Sequence, residues 1–275
     1  MTVHTEASGR RFVQIEIDVP GTPEDVWHAI ATGPGITSWF MPAEFEEHDG
    51  KPVALKLYFG PGVEARSQVT TWDQPRMFAT KADGWMPDSP PIASEWTIEA
   101  RDGGMCTLRI VQSLFASTGD WDNQLESAES GLYAFLRTLQ IYLAHFRGQH
   151  ATLLQLSTPT SGTDAETWAT LTAALGLTGV AVGQSWSAPS GAPSLSGVVE
   201  YLADNPYDAL LRLDKPGPGV GAFGAVTYPG GHSVVAMNLY LYGDPAHQTV
   251  VRETPVWQAW FEQRFPTPTE SSVSE

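Results

Sequence analysis

The chain has 275 residues, 42% of them hydrophobic, and carries 15 basic side chains against 31 acidic ones. That length corresponds to one large domain or two small ones, with enough apolar residues to bury a core. A net charge of −16 argues against nucleic acid and anionic lipid as partners, since both need Lys and Arg to neutralise phosphate.

The acidity is spread along the chain: 11 basic against 20 acidic residues in 1–150, and 4 against 11 in 151–275. It reads as a solubility property rather than a docking face. The ten Trp, eight Tyr and eleven Phe are the more informative excess, because aromatics at this density fill cores or line apolar pockets. The single cysteine, Cys106, excludes an intrachain disulfide and a Cys-based metal centre. No stretch has the length of a membrane span and the opening MTVHTEASGRR has no apolar signal-type segment, so the expected compartment is the cytoplasm.

In chain order, Phe12 to Val19 alternates apolar and polar residues and predicts a half-buried strand. Thr22 is a helix N-cap residue followed by Pro23, Glu24 and Asp25, which predicts a helix from Pro23 to Thr32. Gly33-Pro34-Gly35 is expected to stop it, with a second short helix at Ile36 to Phe40. Six turn-separated strands follow: Glu44–Glu47, Val53–Phe59, Glu64–Trp72, Met77–Ala82, Ile92–Ala100 and Met105–Leu114. Asp102-Gly103-Gly104 is a hairpin signal between the last two. A long helix is predicted from Asp122 to Phe146, with one apolar stripe made by Leu125, Ala128, Leu132, Phe135, Leu139, Leu143 and Phe146. At 1.5 Å per residue it is about 38 Å long, enough to lie across a sheet. This order, β–α–α–(β)₆–α, is an α+β design.

The second half repeats the pattern. Without a gap, Gln14, Gly21, Thr22, Trp27, Gly35 and Thr37 meet Gln155, Gly162, Thr163, Trp168, Gly176 and Thr178 at a shift of 141. Asp73-Gln-Pro75 then meets Asp204-Asn-Pro206 at 131, and Gly103-Gly104 meets Gly230-Gly231 at 127. A monotonically shrinking shift is what a second copy with shorter loops produces. Its last helix is expected from Pro255 to Phe265, about half as long as the first, with Trp257, Trp260 and Phe261 on one bulky face. Such a helix is too short to cover a full sheet, so the second copy is expected to have a small or absent cavity. The expected division is 1–149, 150–265 and a disordered tail, 266–275.

The segments IEIDVPGTPEDVWHAIATGPGITSWFMP, EWTIEARDGGMCTLRIVQSLF and ESGLYAFLRTLQIYLAHF resemble the SRPBCC or START-like superfamily. The nearest branch resembles the bacterial activator of heat-shock-protein-90 ATPase homologues. The resemblance implies a helix-grip fold, a curved antiparallel sheet wrapped around a long C-terminal helix, here followed by a shortened second copy. It also implies a hydrophobic cavity that holds a small or lipid-like molecule. The superfamily includes carriers, receptors, cyclases and chaperone co-factors, so fold alone does not settle function.

The residues expected to line that cavity are Trp39, Phe40, Met41, Phe45, Leu57, Phe59, Trp85, Trp96, Leu132, Phe135, Leu136 and Leu139. The loop Gly84-Trp85-Met86-Pro87 is placed at its mouth. His48, Arg66, Glu95 and Tyr133 are the candidate polar groups, although Glu95 falls on the opposite strand parity from Trp96. His48 sits in a solvated acidic turn, and His145 and His150 lack ligand spacing, so no metal is expected. Gly183-Gln184-Ser185-Trp186-Ser187 lacks the last glycine of a nucleophile elbow. Cys106 reads as a buried structural thiol. No cofactor is expected. Three functions remain open: carriage of a small hydrophobic molecule, a cyclase- or hydrolase-type enzyme using Glu95, His48 or Tyr133, and a chaperone-associated protein meeting a protein partner or a second copy of itself.

Overall fold

The first strand is made by alternation. In β2 (Arg11–Pro20), Val13, Ile15 and Val19 are buried while Gln14, Glu16 and Asp18 face outward. The computed structural model describes residues 4–5, 11–60, 62–83, 91–114, 122–204, 207–227 and 231–266. The chain divides into two compact units, Met1–His150 and Ala151–Glu275.

In the first unit, β2 leads through Gly21, at φ 130°, into α1 (Pro23–Ile30). Thr22 caps this helix with a full capping box. Its hydroxyl accepts the Asp25 N–H at 3.3 Å and the Asp25 carboxylate accepts the Thr22 N–H at 2.9 Å, which holds the Asp25 carboxyl below its ordinary range. Helix α2 (Gly33–Thr37) begins on the very Gly-Pro-Gly expected to end α1, which corrects the boundary drawn from the sequence. Here the glycines serve close approach rather than flexibility. A Cβ on Gly33 would lie 2.6 Å from the Ala43 carbonyl, and one on Gly35 would lie 1.9 Å from that of His28. Thr32 bonds both sides of the joint, donating to the His28 carbonyl at 2.8 Å and accepting from Gly35 N–H at 3.0 Å.

An antiparallel meander follows: β3 (Ala43–His48), β4 (Lys51–Gly60), β5 (Val63–Asp73), β6 (Met77–Ala82), β7 (Ile92–Arg101) and β8 (Met105–Leu114). With the two-residue β1 (His4–Thr5), the sheet order is β1-β2-β8-β7-β6-β5-β4-β3, so the first long strand pairs with the last. Helix α3 (Asp122–His145) packs on β2, β8 and α1. Leu132, Leu136, Leu139, Leu143 and the following Phe146 are buried, as the predicted stripe requires. The side chains of Leu125 and Ala128 lie outside the described residues. Gln140 donates to the Asp18 carbonyl at 2.8 Å, and Arg147 pairs with Asp25 at 2.9 Å, tying the helix to the start of the unit. Cys106 is fully buried and its thiol donates to the Gly21 carbonyl; burial pushes that thiol up in pKa.

The second unit repeats this plan with fewer parts. It contains β9 (Ala151–Thr160), α4 (Asp164–Leu175), β10 (Ser185–Ser187), β11 (Ser196–Asp204), β12 (Tyr207–Lys215), β13 (Gly219–Thr227), β14 (Ser233–Tyr242) and α5 (Ala246–Arg264). The sheet order, β10-β11-β12-β13-β14-β9, again pairs the first strand with the last. Thr163 repeats the capping box of Thr22, now with Glu166. Trp168, like Trp27, is buried on the capped helix. The far edge is shortened to the three residues of β10, and one continuous helix stands where the first unit has two.

Helix α5 differs from expectation. It is 19 residues long with Pro255 in its interior, so Pro255 is not its first-turn residue. Proline removes one helix hydrogen bond. It does so here on the exposed side, between Val251 and Val256, which are 62% and 46% exposed. The opposite face buries Trp257, Trp260 and Phe261. Their rings interlock with one another and with Phe223 from the sheet at 5.5–6.1 Å. The space between sheet and helix in this unit is thus packed with side chains.

Candidate functional site

In the first unit the sheet and helices border a partly open cavity of about 330 Å³, within the size range of small-molecule pockets. Its floor is the inner face of β4–β8, and its walls come from α1, α2, the turn after α2 and α3. Of the residues named from sequence, Trp39, Phe40, Leu57, Phe59, Trp96, Leu132 and Phe135 border it. The rings of Phe40 and Phe135 meet edge to face at 4.4 Å, and Phe78 and Trp96 stack at 5.9 Å. Trp39 is 2% exposed, and its indole N–H donates to the Ala29 carbonyl at 2.9 Å. It thereby satisfies one of the end carbonyls that α1 leaves without a helical partner.

The other anticipated residues fall elsewhere. Leu136 and Leu139 are fully buried on α3, and Met41 is buried after the α2 turn, but none of the three lines the cavity. Phe45 packs against Trp72 and Phe78 at 5.3 and 6.3 Å and faces a different groove. Trp85 and its loop lie outside the described residues, as does the tail beyond Pro266.

None of the four candidate polar groups lines the cavity. Glu95 faces away from it, as its strand parity requires, and reaches Arg109 at 3.9 Å on the solvated face. His48 is exposed beside Asp49 in the β3–β4 turn. Tyr133 stands next to Leu132 on the helix and outside the lining. Arg66 lies on the outer face and pairs with Glu46 at 2.6 Å, while Lys56 approaches the same carboxylate at 2.7 Å.

Arg66 first, and Lys56 after it, hold the Glu46 carboxyl down to about 2 against an ordinary 4.5. Because the folded value is depressed, the stabilising contribution of this group is present above about pH 4.5 and is lost as pH falls toward 2. A carboxyl-carbon NMR titration is expected to show Glu46 titrating near 2, and Arg66→Gln should move it back toward 4.5.

The polar groups that do line the cavity are Ser67, Thr80, Ser94 and Gln112. Parity could have found them. Ser94 stands two residues from Trp96 on β7, and Gln112 two residues from the buried Ile110 on β8. All four are uncharged, and the remaining lining is hydrocarbon and aromatic. A larger groove of about 730 Å³ runs between α1–α2 and β3–β5. Its walls mix Glu24, Glu44, Glu47 and His28 with Phe45 and Trp72, the composition of an ordinary solvated surface. Among the described residues, no group of three His, Cys, Asp or Glu side chains converges as metal ligands would, and no helix is long and apolar enough to cross a membrane.

An antiparallel sheet whose first long strand pairs with its last, with a long C-terminal helix across it, is the helix-grip architecture. Residues 20–144 match the family model described as Activator of Hsp90 ATPase homolog 1-like protein, so this family's pattern covers nearly all of the first unit. Among curated proteins, none matches the chain. Similar solved structures include CalU16 from Micromonospora echinospora, 18% identical over 52% of this chain and 83% of that one, with a TM-score of 0.40. The Aha1 dimer from Colwellia psychrerythraea is 20% identical over 50% of this chain and 98% of that one, TM-score 0.39. The di-domain ARO/CYC BexL from the BE-7585A biosynthetic pathway is 11% identical over 94% of this chain and 100% of that one, TM-score 0.43.

Proposed function

We propose that the protein binds and carries a small hydrophobic molecule, in the cytoplasm, in the cavity between the sheet and the long helix of its first unit. The observation that carries this reading is the partly open cavity of about 330 Å³ whose walls are aliphatic, aromatic and uncharged polar side chains. Apolar surface buried in such a site contributes roughly 25 cal/mol per Å², while a charged ligand group there would lose hydration without gaining a counter-ion. The placement of Glu95, His48 and Tyr133 away from the lining supports carriage over acid–base catalysis, which needs its groups within hydrogen-bond reach of the substrate. The second unit, packed solid with Trp257, Phe261 and Phe223, is read as structural.

The test is native mass spectrometry of freshly purified protein, with solvent extraction of any co-purifying compound, together with titration by N-phenyl-1-naphthylamine. Wild-type protein is expected to enhance the probe's fluorescence. Ala65→Phe, which pushes a ring into the cavity from β5, should weaken that binding about tenfold or more, equivalent to ~1.4 kcal/mol, without lowering the unfolding temperature. No co-purifying molecule and no probe enhancement would reject the reading.

A further inference from the structure

The cavity floor is striped. Across three neighbouring strands, Thr80 on β6 is the direct partner of Ser94 on β7, and Ser94 of Gln112 on β8. Two residues along each strand in one direction, the same face carries Phe78, Trp96 and Ile110, again in register. Two residues in the other direction stand Ile92 and Leu114, which are partners across β7 and β8. A strand advances about 3.3 Å per residue, so on β6–β8 a polar band crosses the floor with apolar rows some 7 Å to either side, while Ser67 stands apart from it on β5.

Within the band, the side-chain carbonyl oxygen of Gln112 is buried and has no hydrogen-bond partner. A buried amide oxygen left unpaired is costly and uncommon, and Gln112 is one of the residues that line the cavity. We propose that Gln112 is the polarity-reading residue of the site. It accepts a hydrogen bond from an O–H or N–H carried by an uncharged ligand. Because apolar rows flank the band on both sides, the donor belongs to the body of the ligand, with hydrocarbon extending both ways from it. A terminal headgroup on a chain does not match this pattern, and a carboxylate finds no cation among the described lining residues.

This assignment rests on the cavity being the ligand site, and its test separates the two ideas. Affinities of the full chain for 1-naphthol, 1-methoxynaphthalene and 1-methylnaphthalene would be measured by calorimetry, in wild type and in Gln112→Met, which conserves volume. The three probes share a ring body; only naphthol donates a hydrogen bond. Wild type is expected to prefer naphthol to both others by about tenfold, the size of one hydrogen bond to an otherwise unpaired buried acceptor. Gln112→Met should erase that preference while binding 1-methylnaphthalene at least as well as wild type. Equal wild-type affinity for all three would overturn the role of Gln112 and leave the binding site standing; this wild-type comparison does not depend on the variant folding. Failure of all three to bind would overturn the site itself.

Discussion

Replacing Gly35 by Ala is expected to lower the unfolding temperature of the first unit by about 6–12 °C, read by near-ultraviolet circular dichroism. The new methyl would sit 1.9 Å from the His28 carbonyl oxygen, 2.7 Å from the Thr32 hydroxyl and 2.9 Å from the His28 carbonyl carbon. Two of these atoms are backbone at the end of α1, and the third is the hydroxyl that joins α1 to α2. None can swing aside as a long side chain would. Overpacking typically costs 1–3 kcal/mol and occasionally more; a collision with backbone belongs at about 3 kcal/mol, which for a domain of this size is some 2–4 °C per kcal/mol. Because α2 and the turn after it place Ile36, Trp39 and Phe40 on the cavity wall, probe binding should fall with stability. Gly217→Ala is the control: a Cβ there meets nothing within 4 Å, and no shift is expected.

Trp39→Ala is expected to cost about 3–5 kcal/mol, the usual range for removing a buried Trp, seen as a lower urea midpoint for the first unit. The same change enlarges the cavity, so probes bulkier than naphthalene should gain affinity relative to small ones. A subtler comparison isolates the indole N–H. Trp39 donates to the Ala29 carbonyl, whereas Trp257 is fully buried with its N–H unpaired. Trp39→Phe loses ring volume and also strands a carbonyl. Trp257→Phe loses ring volume but relieves an unsatisfied donor, and the two effects oppose each other. The first should therefore cost about 2 kcal/mol more than the second. Equal costs at the two positions would show that ring volume alone governs both sites.

Much of the architecture was legible because it is written in local chemistry. The alternation of β2, the Thr caps at 22 and 163, the glycine pair at 103 and 104 and the 3–4 stripe of α3 each specify an element from within a few residues. The repeat was legible for the same reason, since its identities fall on caps and turns that each unit needs. Where local rules misled, a long-range demand had overridden them. Gly33 and Gly35 are breakers by propensity, yet they lie in a helix because Ala43 and His28 press against them. Pro255 is a helix starter by propensity, yet stands mid-helix because its missing hydrogen bond falls on the exposed face.

The site divided along the same line. Residues chosen as large and apolar near the long helix could be named from sequence, and seven of them meet in the cavity. Sequence has no means of separating Leu132 and Phe135, which face the cavity, from Leu136 and Leu139, which pack elsewhere, because all four lie on one apolar side of the helix. Parity separates Gln112 from Glu95, but it gives no sign that the Gln112 amide oxygen lacks a partner. Composition, periodicity and caps determine which elements form and which face of each is buried, since those are properties of neighbours along the chain. Which buried residues border a void, and which polar atom is left there without a partner, depends on the register of strands far apart in sequence and on the curvature of the sheet they make. Only the tertiary structure supplies those.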